Sequence, residues 1–278
     1  MTRSMRTLLG LILLCLFFFI SCSSNDDDPV SPGSQDPGED DPIITGADFL
    51  ADHSVTALFD QIPTAAIEGV SNDLRIYYGH TSHGSQLMTG LAMLESEDPS
   101  YQRPHVHEPG GDLGHNGSLT WEQTTRAFLA DHADEYDVIV WSWCGGCSDN
   151  TEAGIDTYLS AMNQLETDFP ALTFIYMTGH LDGSGPDGNL YASNDRIRDY
   201  CTDHDKVLFD FADIESYDPD GNYYPDGGDG CEWCVDWCAD NDCEECSGCA
   251  HSHCFNCFQK GKAFWWLLTQ IWIKDNVN

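Results

Sequence analysis

The feature that most limits the fold is an alternation of short apolar runs with amphipathic segments from residue 47 onward. Leu74-Arg75-Ile76-Tyr77-Tyr78, Val138-Ile139-Val140-Trp141, Leu172-Thr173-Phe174-Ile175-Tyr176-Met177 and Val207-Leu208-Phe209-Asp210-Phe211 are rich in β-branched and aromatic side chains and read as strands. Between them, 85–95, 121–132 and 189–203 read as helices, and Ile155, Tyr158, Leu159, Met162 and Leu165 share one helical face closed by Pro170. A last helix is expected over 259–274, with irregular chain over 97–118 and 212–258. Strands separated by helices of ~10–15 residues build a parallel α/β sheet covered on both faces. Such sheets collect ligand chemistry in the loops at the carboxyl ends of their strands. Those are the loops where this chain gathers His, Ser, Gly and Cys.

The amino terminus sets the expected compartment. Arg3 and Arg6 precede an apolar run, Leu8 to Ile20, that is too short for a bilayer span and suits a signal-peptide core. Phe19-Ile20-Ser21-Cys22 resembles the lipobox of bacterial lipoproteins. The resemblance implies a leader over 1–21 and lipidation of Cys22. With Ser23 following rather than Asp, it also implies export to the outer membrane of a Gram-negative envelope. Residues 22–46, composed mostly of Ser, Asp, Pro and Gly, read as a disordered acidic tether. The globular domain is expected over 47–278, with 212–258 as an acidic, cysteine-rich insertion. Membrane contact is expected only through the lipid, and the sequence sets no oligomeric state.

Charge narrows the partners. The chain carries 11 Lys+Arg against 47 Asp+Glu, a net of −36. Nucleic-acid binding and a polybasic hold on anionic lipid both rely on Lys and Arg, so neither is expected. The 41% hydrophobic and 12% aromatic content still allows a sizeable core.

The first strand runs into Gly79-His80-Thr81-Ser82-His83-Gly84-Ser85-Gln86, a strand-to-helix turn with hydroxyls and imidazoles. A serine there lies near the free N–H groups of a helix start, which can stabilise an oxyanion; the plainer role is capping by Ser82 or Thr81. Gly110-Gly111-Asp112-Leu113-Gly114-His115-Asn116-Gly117 and Trp143-Cys144-Gly145-Gly146-Cys147-Ser148-Asp149-Asn150 supply Gly and Asn that either donate N–H groups or simply make turns. Gly179-His180-Leu181-Asp182-Gly183 and Cys249-Ala250-His251-Ser252-His253 complete the set.

This order resembles the SGNH (GDSL-like) hydrolase superfamily over roughly residues 70–275. The resemblance implies a flavodoxin-like three-layer α/β/α fold and serine acyl transfer. Ser82 stands at the nucleophile's position, and His251 at the base's, with His253 its alternate. Gly114, Gly145 and Asn150 stand at the oxyanion donors' positions. The implied substrate is an O-acyl ester, small or carried on a glycan, cleaved without a cofactor. The usual Gly-Asp-Ser is absent, and Gly248 stands three residues before His251 where the family has Asp. The orienting acid is therefore either missing or supplied from elsewhere, for example by Asp182 or the acidic insertion.

Two other classes stay open. His80, His83, His180, Asp182 and His253 form a candidate metal set, with zinc the natural ion for imidazole and carboxylate donors. Asp218-Pro219-Asp220-Gly221-Asn222, with Asp226 and Asp229, resembles part of a calcium loop but equally an acidic turn. A non-catalytic glycan-binding module would use exposed aromatics among Trp121, Trp141, Trp143, Trp233 and Trp237. Of the 13 cysteines, Cys15 leaves with the leader and Cys22 takes lipid; the remaining number is odd, so at least one thiol is unpaired. On an exported protein, Cys231, Cys234, Cys243, Cys246, Cys249 and Cys257 are expected in disulfides, with Cys249–Cys257 closing a loop around His251 and His253.

Overall fold

The computed structural model describes residues 49–277; the leader, Cys22 and the tether lie outside them. Six strands, β1 (Leu50–Ala51), β2 (Arg75–Gly79), β3 (His105–His107), β4 (Val138–Trp141), β5 (Thr173–Met177) and β6 (Val207–Phe209), form one parallel sheet. Their spatial order is β1-β6-β5-β4-β2-β3. Without the two-residue edge strand β1, this is the flavodoxin-like order. The chain reverses direction across the sheet between β2 and β4, and ligands bind outside the strand ends at such a reversal.

The helices are α1 (Thr64–Asp73), α2 (Ser85–Glu97), α3 (Thr120–His132), α4 (Gly146–Asp149), α5 (Glu152–Asp168), α6 (Asn189–Asp203), α7 (Phe211–Ser216), α8 (Glu232–Asp240) and α9 (Cys254–Asn276). Side chains along each strand alternate between two cores. Ile76, Tyr78, Val138, Val140, Ile175 and Met177 meet the layer containing α1, α2 and α9. Tyr77, Ile139, Trp141, Phe174 and Tyr176 meet α3, α5 and α6. Burial on both faces explains why the central strands read as continuous apolar runs. Helices α2 and α9 cross at Gly90 and Gly261, where a Cβ on Gly90 would lie 2.0 Å from the Cys257 carbonyl oxygen. The missing side chains are what let the two backbones touch.

Three expectations change. β3 falls inside the stretch 97–118 read as irregular; its His-Val-His sequence on a sheet edge gives no apolar run. The segment 212–258 contains most of α7 and all of α8, and α9 begins at Cys254 rather than 259. Trp121, Trp141, Trp143 and Trp233 are all buried and only Trp237 of that set is partly exposed, so these tryptophans do not form a shared exposed face.

Four disulfides cross-link the insertion: Cys231–Cys234, Cys238–Cys243, Cys246–Cys254 and Cys249–Cys257. The Cys249–Cys257 bridge is as expected; Cys243 and Cys246 do not pair with each other but with Cys238 and Cys254. Cys144, Cys147 and Cys201 are free, so three thiols remain among the described residues. Cross-links of this density restrict the unfolded chain where little core is available.

Alkylation of the unreduced, denatured protein, followed by peptide mapping, should label Cys144, Cys147 and Cys201 and none of the eight bridged cysteines. Gly90→Ala should lower stability by about 1–3 kcal/mol in urea titration, the usual cost of forcing atoms into a closed contact.

Candidate active site

Strand pairing carries the chain to the site. The Ser142 N–H donates to the Gly79 carbonyl at 3.0 Å, extending the β2/β4 ladder beyond the strand ends. The turn 80–84 and the loop 142–145 therefore leave the sheet side by side at its reversal point. Ser82 does not cap α2: the helix starts at Gly84 without a side-chain cap. Thr81 donates instead to Asp112 at 3.1 Å.

Freed from capping, the Ser82 hydroxyl lies 3.4 Å from Cys144 Sγ. Cys144 Sγ lies 3.2 Å from His83 Nδ1, and His83 Nε2 lies 3.0 Å from Asp229 Oδ2. Burial holds the His83 imidazole at a pKa of about 4, against the opposing hydrogen bond from Asp229; the neighbouring His180 and His251 push the same way as burial. His83 is thus neutral at pH 7. With Nε2–H donating to the carboxylate, Nδ1 is left as acceptor for the thiol. The His180 ring lies parallel to His83 at 3.6 Å, and the His251 ring stacks at 4.6 Å. His180 Nδ1 donates to the Leu181 carbonyl at 2.8 Å, which fixes its ring. His251 is exposed and adopts a left-handed backbone, φ 60°, in the loop closed by Cys249–Cys257.

The expected residues thus fall into groups. Ser82 and His251 both reach the centre, but no hydrogen bond joins them among the described residues; His83 stands between. The acidic insertion brings Asp229 to His83, and no carboxylate hydrogen-bonds His251 among the described residues. Asp182 instead accepts from Ser148 Oγ at 2.9 Å. Gly145 sits in a left-handed conformation, φ 76°, immediately after Cys144. Asn150 is buried and its amide is fully engaged: Nδ2 donates to the Gly114 and Gly146 carbonyls at 3.1 and 2.6 Å, and Oδ1 accepts from Gly117 N. It braces the loops after β3 and β4 against each other.

The proposed metal set does not assemble. His80 bonds Glu108 at 2.8 Å, Asp182 faces Ser148, and His253 accepts from Phe255 N at the start of α9. The residues whose ligand atoms do converge, within 4.8 Å, are His83, Asp229 and His251; Asp52, His53 and Asp213 form a second such group. Asp218 heads the acidic turn of the insertion. Its carboxylate accepts from Asp220 N, Asn222 N, Asn222 Nδ2 and Tyr224 Oη, organising its own turn.

A buried network lies beneath this centre. Lys260 on α9, wholly buried, bonds Glu215 on α7 at 2.5 Å and also Gln86 on α2. Gln86 Nε2 donates to the Ala250 carbonyl at 2.6 Å, next to His251. Glu215 Oε2 accepts from Leu181 N at 2.7 Å, next to His180. One ion pair therefore anchors three of the segments that carry the histidine stack.

No protein-family profile and no curated protein matches this chain. Among solved structures it is similar to an acetyl xylan esterase, 15% identical with a TM-score of 0.36 over 49% of this chain and 77% of that one. It is also similar to a putative acylhydrolase from Bacteroides fragilis, 12% identical, TM-score 0.35, over 63% and 85%. A third likeness is to the periplasmic domain of a Salmonella Paratyphi A lipopolysaccharide acetyltransferase, 11% identical, TM-score 0.42, over 76% and 92%.

Lys260→Met should cost about 3–5 kcal/mol in chemical denaturation, because it leaves Glu215 charged and unpaired in the core. The double variant Lys260→Met/Glu215→Leu should recover most of that loss. Because His83 is depressed below the ordinary imidazole value of 6.5, the unfolded chain binds the extra proton between pH 6.5 and about 4. Its contribution to stability is therefore complete above pH 6.5 and falls as pH drops toward 4. Urea midpoints of wild type and His83→Asn across that window should show the smaller acid-side decline in the variant.

Proposed function

We propose that the protein hydrolyses O-acyl esters by covalent acyl transfer at the β2/β4 reversal, with Ser82 as nucleophile and His251 as its base. The observation that supports this best is the position of the Ser82 hydroxyl. It sits on a strand-to-helix turn without capping the helix, facing a thiol–imidazole–carboxylate line at the site a flavodoxin-like sheet reserves for ligands. His251 makes a ring contact and no hydrogen bond among the described residues, so nothing ties its nitrogens away from substrate. Catalytic hydrogen bonds that are open in a free enzyme commonly tighten around substrate.

In the reaction, Ser82 Oγ attacks the ester carbonyl and its proton passes to His251. The carbonyl oxygen takes the developing charge, held by backbone N–H groups of the turn after β2 and of the Gly114 and Gly145 loops. The tetrahedral adduct collapses, the C–O bond to the alcohol breaks, and His251 returns the proton to the leaving oxygen. Water then repeats the sequence on acyl-Ser82 and releases the acid. Asn150 serves by bracing the oxyanion loops, and Asp229 by holding His83. Tethering through a lipid on Cys22 would place this chemistry outside the cell, on esters of small molecules or envelope and environmental glycans.

A second reading rests on one specific distance. Cys144 Sγ lies 3.2 Å from His83 Nδ1, whereas no hydrogen bond joins Ser82 Oγ to an imidazole among the described residues, and His83 is already oriented by Asp229. That line has the layout of a nucleophile, base and acid.

Kinetics on nitrophenyl acetate separate the two. Ser82→Ala should lower kcat/KM on the order of 10³-fold or more, while Cys144→Ala keeps activity within about tenfold. The reverse pattern would move the nucleophile to Cys144. Full activity in both variants would end the acyl-enzyme reading.

A further inference from the structure

A cavity of about 240 Å³ opens beside the centre, between the loop after β5, the first turns of α6, α7 and the acidic insertion. Two of its walls lead into the site. Leu181 lines it and directly follows His180; Gly227 lines it and stands two residues before Asp229. Gly183 N donates to the Gly227 carbonyl at 3.1 Å, tying these walls together.

The lining has a particular chemistry. Tyr191, Tyr217 and Tyr223 contribute aromatic surface; Tyr217 and Tyr223 stack at 4.7 Å, and Tyr223 is 46% exposed. Asp182 and Asp213 add carboxylates. Arg198 is the one Lys or Arg in the lining, and its guanidinium is already bonded to Asp210 at 2.6 and 2.9 Å and to Asp195 at 2.9 Å. A phosphate or carboxylate ligand would find acids and no uncommitted cation. An alkyl chain would strip water from carboxylates and hydroxyls and give them no hydrogen bond in return.

We propose that this cavity seats the alcohol side of the ester, and that the alcohol is a neutral sugar ring. This rests on the acyl-transfer reading above. A pyranose has an apolar C–H face to lay against a tyrosine ring and a rim of hydroxyls that donate to carboxylates. The volume lies just under the ~300 Å³ at which small-molecule sites begin, which fits one ring and not a chain of them. The sugar's acylated oxygen then points past Leu181 and Gly227 toward Ser82.

The test compares three esters on the full chain: a mono-O-acetylated methyl glucopyranoside, nitrophenyl acetate and nitrophenyl octanoate. Tyr191→Ala and Tyr223→Ala should raise KM for the sugar ester about tenfold or more and leave kcat/KM for nitrophenyl acetate within about twofold. Equal losses on both esters would mean a structural role, and no loss on either would mean the sugar binds elsewhere; each overturns the proposal. A KM effect that appears instead on a nitrophenyl octanoate would assign the cavity to the acyl chain and also overturn it. If wild type cleaves nitrophenyl acetate but not the sugar ester, the cavity proposal fails alone. If it cleaves neither, the hydrolase reading fails, and calorimetric binding of methyl glucopyranoside decides the cavity: saturable binding lost in Tyr223→Ala supports it, and none refutes it.

Discussion

The buried pair Lys260–Glu215 is the interaction on which the site depends. Taking both charges out of water is expensive, and the pair alone is weak support for stability. Its worth lies in what it holds. Gln86, Leu181 and Ala250 are each bonded to it or through it, and they sit beside the segments that carry His83, His180 and His251. Trp233 of the insertion donates to the Glu215 carbonyl at 2.8 Å, so α8 is tied to the same point. Three helices and two loops with no contact in sequence are registered against one another by a single ion pair and its hydrogen bonds. An apolar pair of the same volume could fill the space but could not set these directions.

The insertion supplies what the sheet cannot. A parallel sheet places loops at its carboxyl edge but leaves their ends open. Here a cross-linked segment folds back over that edge, bringing Asp229 to His83 and closing one wall of the tyrosine cavity. Its disulfides explain how an acidic stretch with few apolar residues keeps a fixed shape. The net charge of −36 then has a local meaning as well as a global one. It lines the cavity with carboxylates, which turns that cavity away from anions.

How much of this was legible varied with the physics. Val138–Trp141 and Thr173–Met177 are buried on both faces, so their apolar runs announce strands; His105–His107 on the edge needs no such run and was missed. Ser82 could be singled out as a candidate because a strand-to-helix turn is a position as well as a residue. Cys144 could not, since one half of a C-x-x-C in a cysteine-rich chain is first read as a cross-link or a ligand. Asp229 was one carboxylate among many in the insertion, and only three-dimensional closure selects it. Lys260 left a trace: it lies in a largely apolar helix, between Phe258 and Phe264, where a buried cation must find a partner. His251 stacks on His83 rather than bonding Ser82, and such stacking has no signature in spacing.

In the proposed reaction an acyl group passes through Ser82. Mixing the protein with excess nitrophenyl acetate, quenching in acid within a turnover and mapping the peptides by mass spectrometry tests it directly. One acetyl group is expected on the peptide containing Ser82, absent from Ser82→Ala. An acetyl group found on the Cys144 peptide instead, or none on either while nitrophenol is released, would contradict it.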